Sequence, residues 1–286
     1  MNPSMNRRWL ITGAGGMVGT DLRNELVAQG AELVALAKGD LDITDAGSVR
    51  SVVAAARPDV IVNAAAYTKV DDAEKQEHLA NAINGSAVEF LAAAADAAGA
   101  LLIHLSTDFV FNGEKTTPYE VNDKTSPLSA YGRSKLLGEV AATQAKQHLI
   151  IRTAWLFGVH GPNFVEAIRN QIRKGTNPLR VVNDQRGRPT YTPHLARAIL
   201  RLAHSDSARG IVHYADDEEA TWFEFAQAIA AESEAVVNIE PVTSDQFPRP
   251  ARRPAYSVLS TERYERLTGV RPDSWREGLR EYFEKR

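Results

Sequence analysis

Trp9-Leu10-Ile11-Thr12-Gly13-Ala14-Gly15-Gly16-Met17-Val18-Gly19 decides the fold. A short apolar run breaks into a glycine turn, and Leu22, Leu26 and Val27 then recur at helical spacing, so the stretch reads strand, turn, helix. Glycines at GxxGxxG spacing (Gly13, Gly16, Gly19) let main-chain N–H groups approach a pyrophosphate. They also aim it at a helix N-terminus, whose dipole favours negative charge. A tight glycine turn in another kind of α/β protein is the competing explanation, and the rest of the chain decides between them.

Four more apolar runs follow at the rhythm of a parallel α/β sheet. The second, residues 31–37, ends in Lys38-Gly39, although an acidic residue reading a ribose 2′-hydroxyl is expected about 20 residues beyond the glycines. A cation there suits a 2′-phosphate, hence NADPH with NADH as the alternative; it equally suits an idle surface lysine. Asp45 is placed to cap a helix over residues 46–56. Pro58-Asp59-Val60-Ile61-Val62-Asn63 continues as the small residues Ala64-Ala65-Ala66-Tyr67-Thr68, which leave room for a flat cofactor at the sheet's mouth. An alanine-rich helix is expected over 78–98, ended by Gly99. Leu101-Leu102-Ile103-His104-Leu105 then delivers Ser106-Thr107-Asp108 to the same mouth, and residues 149–153 form the fifth strand.

Between those strands lies Tyr131-Gly132-Arg133-Ser134-Lys135. On a helix, residues four apart share a face, so a phenol and an ammonium meet over one site. A neighbouring cation favours the phenolate, which makes the pair a candidate proton donor or acceptor. Leu136, Leu137 and Val140 form an apolar face expected to lie on the sheet. Beyond Gly158 the rhythm loosens, with helices expected near 164–174, 194–204 and 222–232, strands at 179–182 and 211–214, and two short helices near 261–267 and 274–283. The expected architecture is α/β: a Rossmann-type doubly wound parallel sheet over 1–158, with a smaller, loop-rich substrate-binding lobe over 159–286 that returns residues 190–215 to the first domain.

Composition narrows the chemistry. In 286 residues there is no cysteine, which excludes disulfides, thiolate metal sites and cysteine nucleophiles. A formal net charge of −3 offers no basic stripe for nucleic acid. Met1 to Arg8 leads into an apolar segment too short for a signal peptide, and no apolar run reaches spanning length, so a cytoplasmic protein without a membrane partner is expected.

Taken together, the chain resembles the extended short-chain dehydrogenases, and within them the dTDP-4-dehydrorhamnose reductases. The resemblance runs through Thr12 to Gly19, Val62 to Thr68, Val70-Asp71 with Ala73-Glu74, Leu105 to Gly113, and Tyr131 to Leu136 with Gly138-Glu139. It continues in Arg152-Thr153-Ala154-Trp155, Asn183-Asp184-Gln185 with Gly187 and Pro189-Thr190, and Arg253-Pro254 with Ser257 and Leu259-Ser260. It implies reduction of a nucleotide-sugar 4-ketone by NADPH. Tyr131 would protonate the nascent alkoxide, Lys135 would lower the Tyr131 pKa and hold the nicotinamide ribose, and Thr107 would hydrogen-bond the reacting oxygen. Cofactor contacts would fall on Gly13, Gly16, Met17, Val18, Gly19, Lys38, Asp42, Ile43, Ala66, Tyr67, Thr68 and Leu105. Asp108 and Trp155 would contact the sugar, and Arg253, with Arg249 or Arg252, the diphosphate. Met17 replaces a common glutamine and Tyr256 a common asparagine. Some relatives hold magnesium between subunits through glutamates; here Asp21 stands at the first of those positions with no evident partner near Pro193, so no required metal is expected. Monomer and homodimer both remain open. A sugar-nucleotide 4-epimerase that retains its NAD, or a non-catalytic regulatory subunit of the kind that partners methionine adenosyltransferase, are the rival readings. A 4,6-dehydratase is disfavoured because Phe109, not glutamate, follows Asp108.

Overall fold

The computed structural model describes residues 7–286. Met1 to Asn6, on which part of the signal-peptide expectation rests, lie outside the described residues. The first half alternates strands and helices. β1 (Arg8–Thr12) leads through the glycine turn into α1 (Met17–Ala28), and β2 (Glu32–Leu36) leads into α2 (Ala46–Ala56) and β3 (Val60–Asn63). The Asp45 carboxylate caps α2 by accepting from Gly47 N. The short α3 (Val70–Ala73) and α4 (Glu77–Asn81) precede α5 (Ala87–Ala98). β4 (Leu101–Thr107), α6 (Ala130–Ala142) and β5 (His148–Thr153) complete the half.

The second half runs β6 (Leu156–Phe157), α7 (Phe164–Arg173), β7 (Leu179–Val182), β8 (Arg186–Gly187), β9 (Thr190–Tyr191), α8 (Thr192–Ala203), β10 (Gly210–His213), β11 (Ala220–Thr221), α9 (Trp222–Glu232), β12 (Ile239–Val242), α10 (Glu262–Thr268) and α11 (Trp275–Glu284). The main sheet has the order β10-β5-β4-β3-β1-β2, all parallel. Its direction of winding reverses between β1 and β3, the crevice where doubly wound sheets bind ligands. One face packs Leu22 and Leu26 of α1 and Leu195 and Ile199 of α8 against Ile11, Val62 and Ile103. The other packs Val49 and Val53 of α2 and Val88 and Leu91 of α5 against Leu10, Ile61 and Leu102. Each fully buried aliphatic side chain contributes roughly 1.5–3 kcal/mol, which makes the sheet a rigid base for the loops at its carboxyl edge. A third cluster, around Phe157, Tyr191, Phe225, Trp275 and Tyr282, holds α7, α9 and α11 together.

Two local expectations change. The helix expected over 78–98 is interrupted by a π-helical turn, Ala82–Ser86, between α4 and α5. That turn buries Asn84, whose side chain accepts from Tyr67 N at 2.8 Å and donates to Tyr67 O at 3.0 Å and Ser134 Oγ at 2.9 Å. The second concerns α6, where Leu137 is 48% and Val140 57% exposed. The inward face is instead built of Gly132, Ser134, Lys135, Gly138, Glu139, Ala141 and Ala142. A Cβ on Gly138 would lie 2.1 Å from the Asn84 carbonyl oxygen, so bulky residues are excluded from the side where α6 presses closest.

Candidate functional site

The glycine turn is a shaped cradle. Gly13 has φ +70°, and a Cβ there would sit 2.5 Å from Ala65 N; a Cβ on Gly19 would sit 2.2 Å from Gly13 O. Only glycine fits either place. No side chain caps α1 and no acidic residue stands in its first turn. The helix therefore presents main-chain donors and the positive end of its dipole to the mouth, a fit for a pyrophosphate. The Val18 side chain belongs to the core, and Met17 lies against the loop near Gly161, so their share in any cofactor contact is through the main chain. Lys38 is exposed on the turn after β2. Asp42 is exposed and accepts from Thr44 Oγ1 and N at 2.7 and 2.9 Å, bonds that hold its carboxyl below the usual range. The Ile43 side chain packs in the core. Ala66, Tyr67 and Thr68 follow β3 at the same edge, with Tyr67 pinned by Asn84.

Beneath them a polar chain ties three strands. Thr12 Oγ1 donates to Asn63 Oδ1 at 2.7 Å, and Asn63 Nδ2 meets His104 Nδ1 at 3.1 Å. Burial, with Lys135 nearby, holds His104 well below its ordinary value and therefore neutral.

Ser129 starts α6 by accepting from Gly132 N at 3.1 Å, which aims the first turn at the end of β4. Tyr131 packs edge-on against Phe109, with ring centroids 5.6 Å apart, and its hydroxyl is hydrogen-bonded to Thr107. Lys135 Nζ donates to Leu105 O at 2.6 Å. Burial lowers Lys135 to about 8 although Glu139 pulls the other way. Burial also pushes Tyr131 up to about 12, with Thr107 opposing and Asp108 assisting. The expectation that Lys135 lowers the Tyr131 pKa is not met: the ammonium is turned to a main-chain oxygen and desolvation governs the phenol. Thr107, Tyr131 and Lys135 nevertheless converge on one corner, as their spacing predicts.

The floor of that corner is a buried ion pair that the sequence does not announce as one. Arg152 Nε and Nη2 meet Glu139 Oε1 and Oε2 at 2.8 and 2.7 Å, and Ser106 Oγ adds a third bond to Glu139 at 2.5 Å. Arg152 Nη1 lies 3.3 Å from His213 Nε2, which joins α6 to β4, β5 and β10.

From the second half, Trp155 stacks on Trp222 with ring centroids 3.5 Å apart and planes 4° from parallel. Trp222 Nε1 donates to Gln185 Oε1 at 3.2 Å. Arg253, expected to be free for a diphosphate, instead closes on Asp71. Arg249 lies over the Phe247 ring at 4.7 Å. Asp21 Oδ2 accepts from Thr192 Oγ1 at 2.6 Å with His160 Nε2 3.5 Å from Oδ1, and among the described residues no group of three or more His, Cys, Asp or Glu is placed to hold a metal ion. Among those residues no helix is long and apolar enough to cross a membrane. Asn84 and Trp222 are the two site-building residues that the motif reading missed. Asn84-Gly85, two poor helix formers inside an alanine-rich helix, was the available signal for the first.

Comparison with known proteins agrees with this geometry. The family model described as RmlD substrate binding domain matches residues 7–286. The spore coat polysaccharide biosynthesis protein SpsK of Bacillus subtilis is 42% identical, with 97% of each chain covered. The dTDP-4-dehydrorhamnose reductase of Mycolicibacterium smegmatis is 43% identical over 97% of this chain and 85% of that one. The crystal structure of dTDP-4-dehydrorhamnose reductase from Bacillus anthracis in complex with NADP superposes with a TM-score of 0.94 at 37% identity, covering 98% of this chain and all of that one. Full-length matches at this identity, on a Rossmann-type α/β fold with the same motif residues at one sheet edge, place the chain in the family of the RmlD substrate binding domain.

Proposed function

We propose that this protein reduces the 4-keto group of dTDP-4-dehydro-L-rhamnose to give dTDP-L-rhamnose, with NADPH as reductant. The observation that carries the reading is the convergence of Thr107, Tyr131 and Lys135 beside the glycine cradle, in a chain whose relatives of known name are dTDP-4-dehydrorhamnose reductases. The main-chain donors of residues 16–18 would hold the pyrophosphate. Lys38 would face the 2′-phosphate, and Ala66 to Thr68 with Lys135 the nicotinamide riboside. Bound there, the dinucleotide supplies the hydride.

The protein's task is the proton. Tyr131, pushed up to about 12, is fully protonated at neutral pH and still far more acidic than an alcohol, so its proton passes to the substrate oxygen as negative charge develops there. Thr107 steadies that oxygen. Asp108, Trp155 and the second half shape the sugar site, with residues 1–158 holding the dinucleotide and 159–286 the substrate. A cytoplasmic location follows from this reading, since both the nucleotide sugar and NADPH are made there.

NADPH oxidation at 340 nm with dTDP-4-dehydro-L-rhamnose, wild type against Tyr131→Phe, tests the proposal. Turnover by wild type with a loss of about 100-fold or more in the variant is expected; no turnover, or an unimpaired variant, rejects it. Lys38→Asp should shift preference from NADPH toward NADH, and an unchanged ratio removes the role given to that lysine.

A further inference from the structure

The hydrogen-bonded path from Tyr131 leads inward. Its hydroxyl bonds to Thr107, and Thr107 Oγ1 donates to Asp108 Oδ1 at 3.0 Å. Asp108 is 2% exposed, and its Oδ2 has no hydrogen-bond partner of ordinary geometry. Burial raises the carboxyl to about 6, against the pull of the Ser257 and Thr107 hydroxyls. The group therefore gains and loses a proton within the working range of pH, directly behind the residue that must be reprotonated after each turnover. Lys135, the other ionisable neighbour, is committed to the Leu105 carbonyl.

We propose that Asp108 is the proton reservoir of Tyr131 and that Thr107 relays the proton between them. The inference rests on the reductase reading above. As the substrate oxygen takes the phenolic proton, the Tyr131 O–H bond breaks and an O–H bond forms on the sugar. Thr107 passes its hydroxyl proton to the Tyr131 oxygen and takes one from Asp108. No electrons are exchanged along the relay. Its net result is a neutral Tyr131, a neutral Thr107 and a carboxylate at Asp108, which regains one solvent proton before the next turnover. The bond from Thr107 to Asp108 seen here has the polarity of that discharged state.

The surrounding groups leave the path open. From α6 the titratable neighbours are Tyr131 and Lys135. β5 brings Thr153 beside Thr107 in register, with an unpartnered hydroxyl, and Ser257 approaches from the segment after Arg253. One turn along α6, Glu139 and Arg152 are closed on each other.

Single-turnover NADPH oxidation, in which product release cannot mask the transfer, should be followed between about pH 5 and pH 8 for wild type, Asp108→Asn, Thr107→Val and Thr107→Ser. The wild-type rate is expected to fall about tenfold from pH 5 to 7 as the reservoir empties. Asp108→Asn and Thr107→Val should be slow and lack that limb, and Thr107→Ser should restore it. A limb retained in Asp108→Asn, or turnover by wild type without one, overturns the relay alone; wild type inactive at every pH overturns the reductase reading and the relay with it. Should Asp108→Asn fail to bind NADPH and so prove misfolded, the Thr107→Val and Thr107→Ser pair decides on the same criterion.

Discussion

Arg253 grips Asp71 through both ends of its guanidinium, Nη1 to Oδ1 at 3.1 Å and Nη2 to Oδ2 at 3.0 Å. The contact joins the segment after β3 to the proline-rich loop ahead of α10. Burial works to raise Asp71, yet its bonds to Arg253 and Ala251 N hold it below the usual carboxylate range. Both side chains stay about a quarter exposed, so the pair contributes at most ~1 kcal/mol to folding. A diphosphate reaching this loop competes with Asp71 for the same fork. Arg253→Gln is therefore expected to weaken dTDP binding about tenfold or more while costing no more than ~1 kcal/mol of stability. Calorimetric titration with dTDP reads the first and urea unfolding the second. Unaltered dTDP affinity would remove Arg253 from the binding site.

Glu139 and Arg152 behave differently, because their side chains are only 4% and 3% exposed. Removing one partner strands a buried charge, at a cost of roughly 3–5 kcal/mol. Glu139→Gln should lower the urea midpoint accordingly, whereas Glu139→Leu with Arg152→Met, which removes both charges, should lose clearly less. A single variant within about 1 kcal/mol of wild type would show that the His213 and Val121 contacts suffice to hold the guanidinium.

Lys135 predicts a pH dependence of opposite sense to that of a surface lysine. Its folded pKa is about 8 against an ordinary 10.5, the result of burial. Between those values the unfolded chain binds more protons than the folded one, so the contribution of this group to stability rises with pH from about 8 to about 10.5. Below pH 8 the buried ammonium is a constant penalty, on the order of a few kcal/mol. Lys135→Met should be inactive but more stable than wild type at pH 7, with the difference shrinking as pH rises toward 10. A constant difference across that range would mean that the ammonium is not desolvated in solution.

The sheet and the first-half site were legible because each rests on local sequence. Apolar runs of strand length, glycines at a fixed spacing and a tyrosine four residues before a lysine all leave marks that do not depend on distant partners. Those runs correspond to β1 to β5, and residues 211–214 mark the position of β10. What failed depended on tertiary contacts. Leu137 and Val140 look like a core stripe, but the sheet side of α6 is claimed by Lys135, by Glu139 with its distant partner Arg152, and by glycines that admit the backbone around Asn84. The Tyr131 pKa was misjudged for the same reason: spacing brings the ammonium near, whereas burial and the Leu105 carbonyl decide what it does. The two-residue strands β6, β8, β9 and β11 carry too few residues for any periodicity to show.

Trp222 offers the test of how the second half acts on the first. Trp155 has φ +46°, a left-handed conformation that costs roughly 1–3 kcal/mol for a bulky residue and persists only where its surroundings enforce it. The enforcing group is the parallel Trp222 ring, itself fixed by Gln185, whose Nε2 donates to Ser244 Oγ at 2.9 Å. An aromatic pair of this kind is worth about 0.5–1.5 kcal/mol beyond its buried area, up to about tenfold in an equilibrium constant. If Trp155 contacts the sugar, Trp222→Leu should raise KM for the nucleotide sugar by about that factor and leave kcat at saturation and the affinity for NADPH within about twofold, since uniform binding is what is lost. Trp222→Phe, which keeps a stacking face, should recover part of it. Equal falls in kcat and kcat/KM would show instead that the stack acts on the transition state, through the end of β5 and its neighbour Thr107, and not on the ground-state sugar.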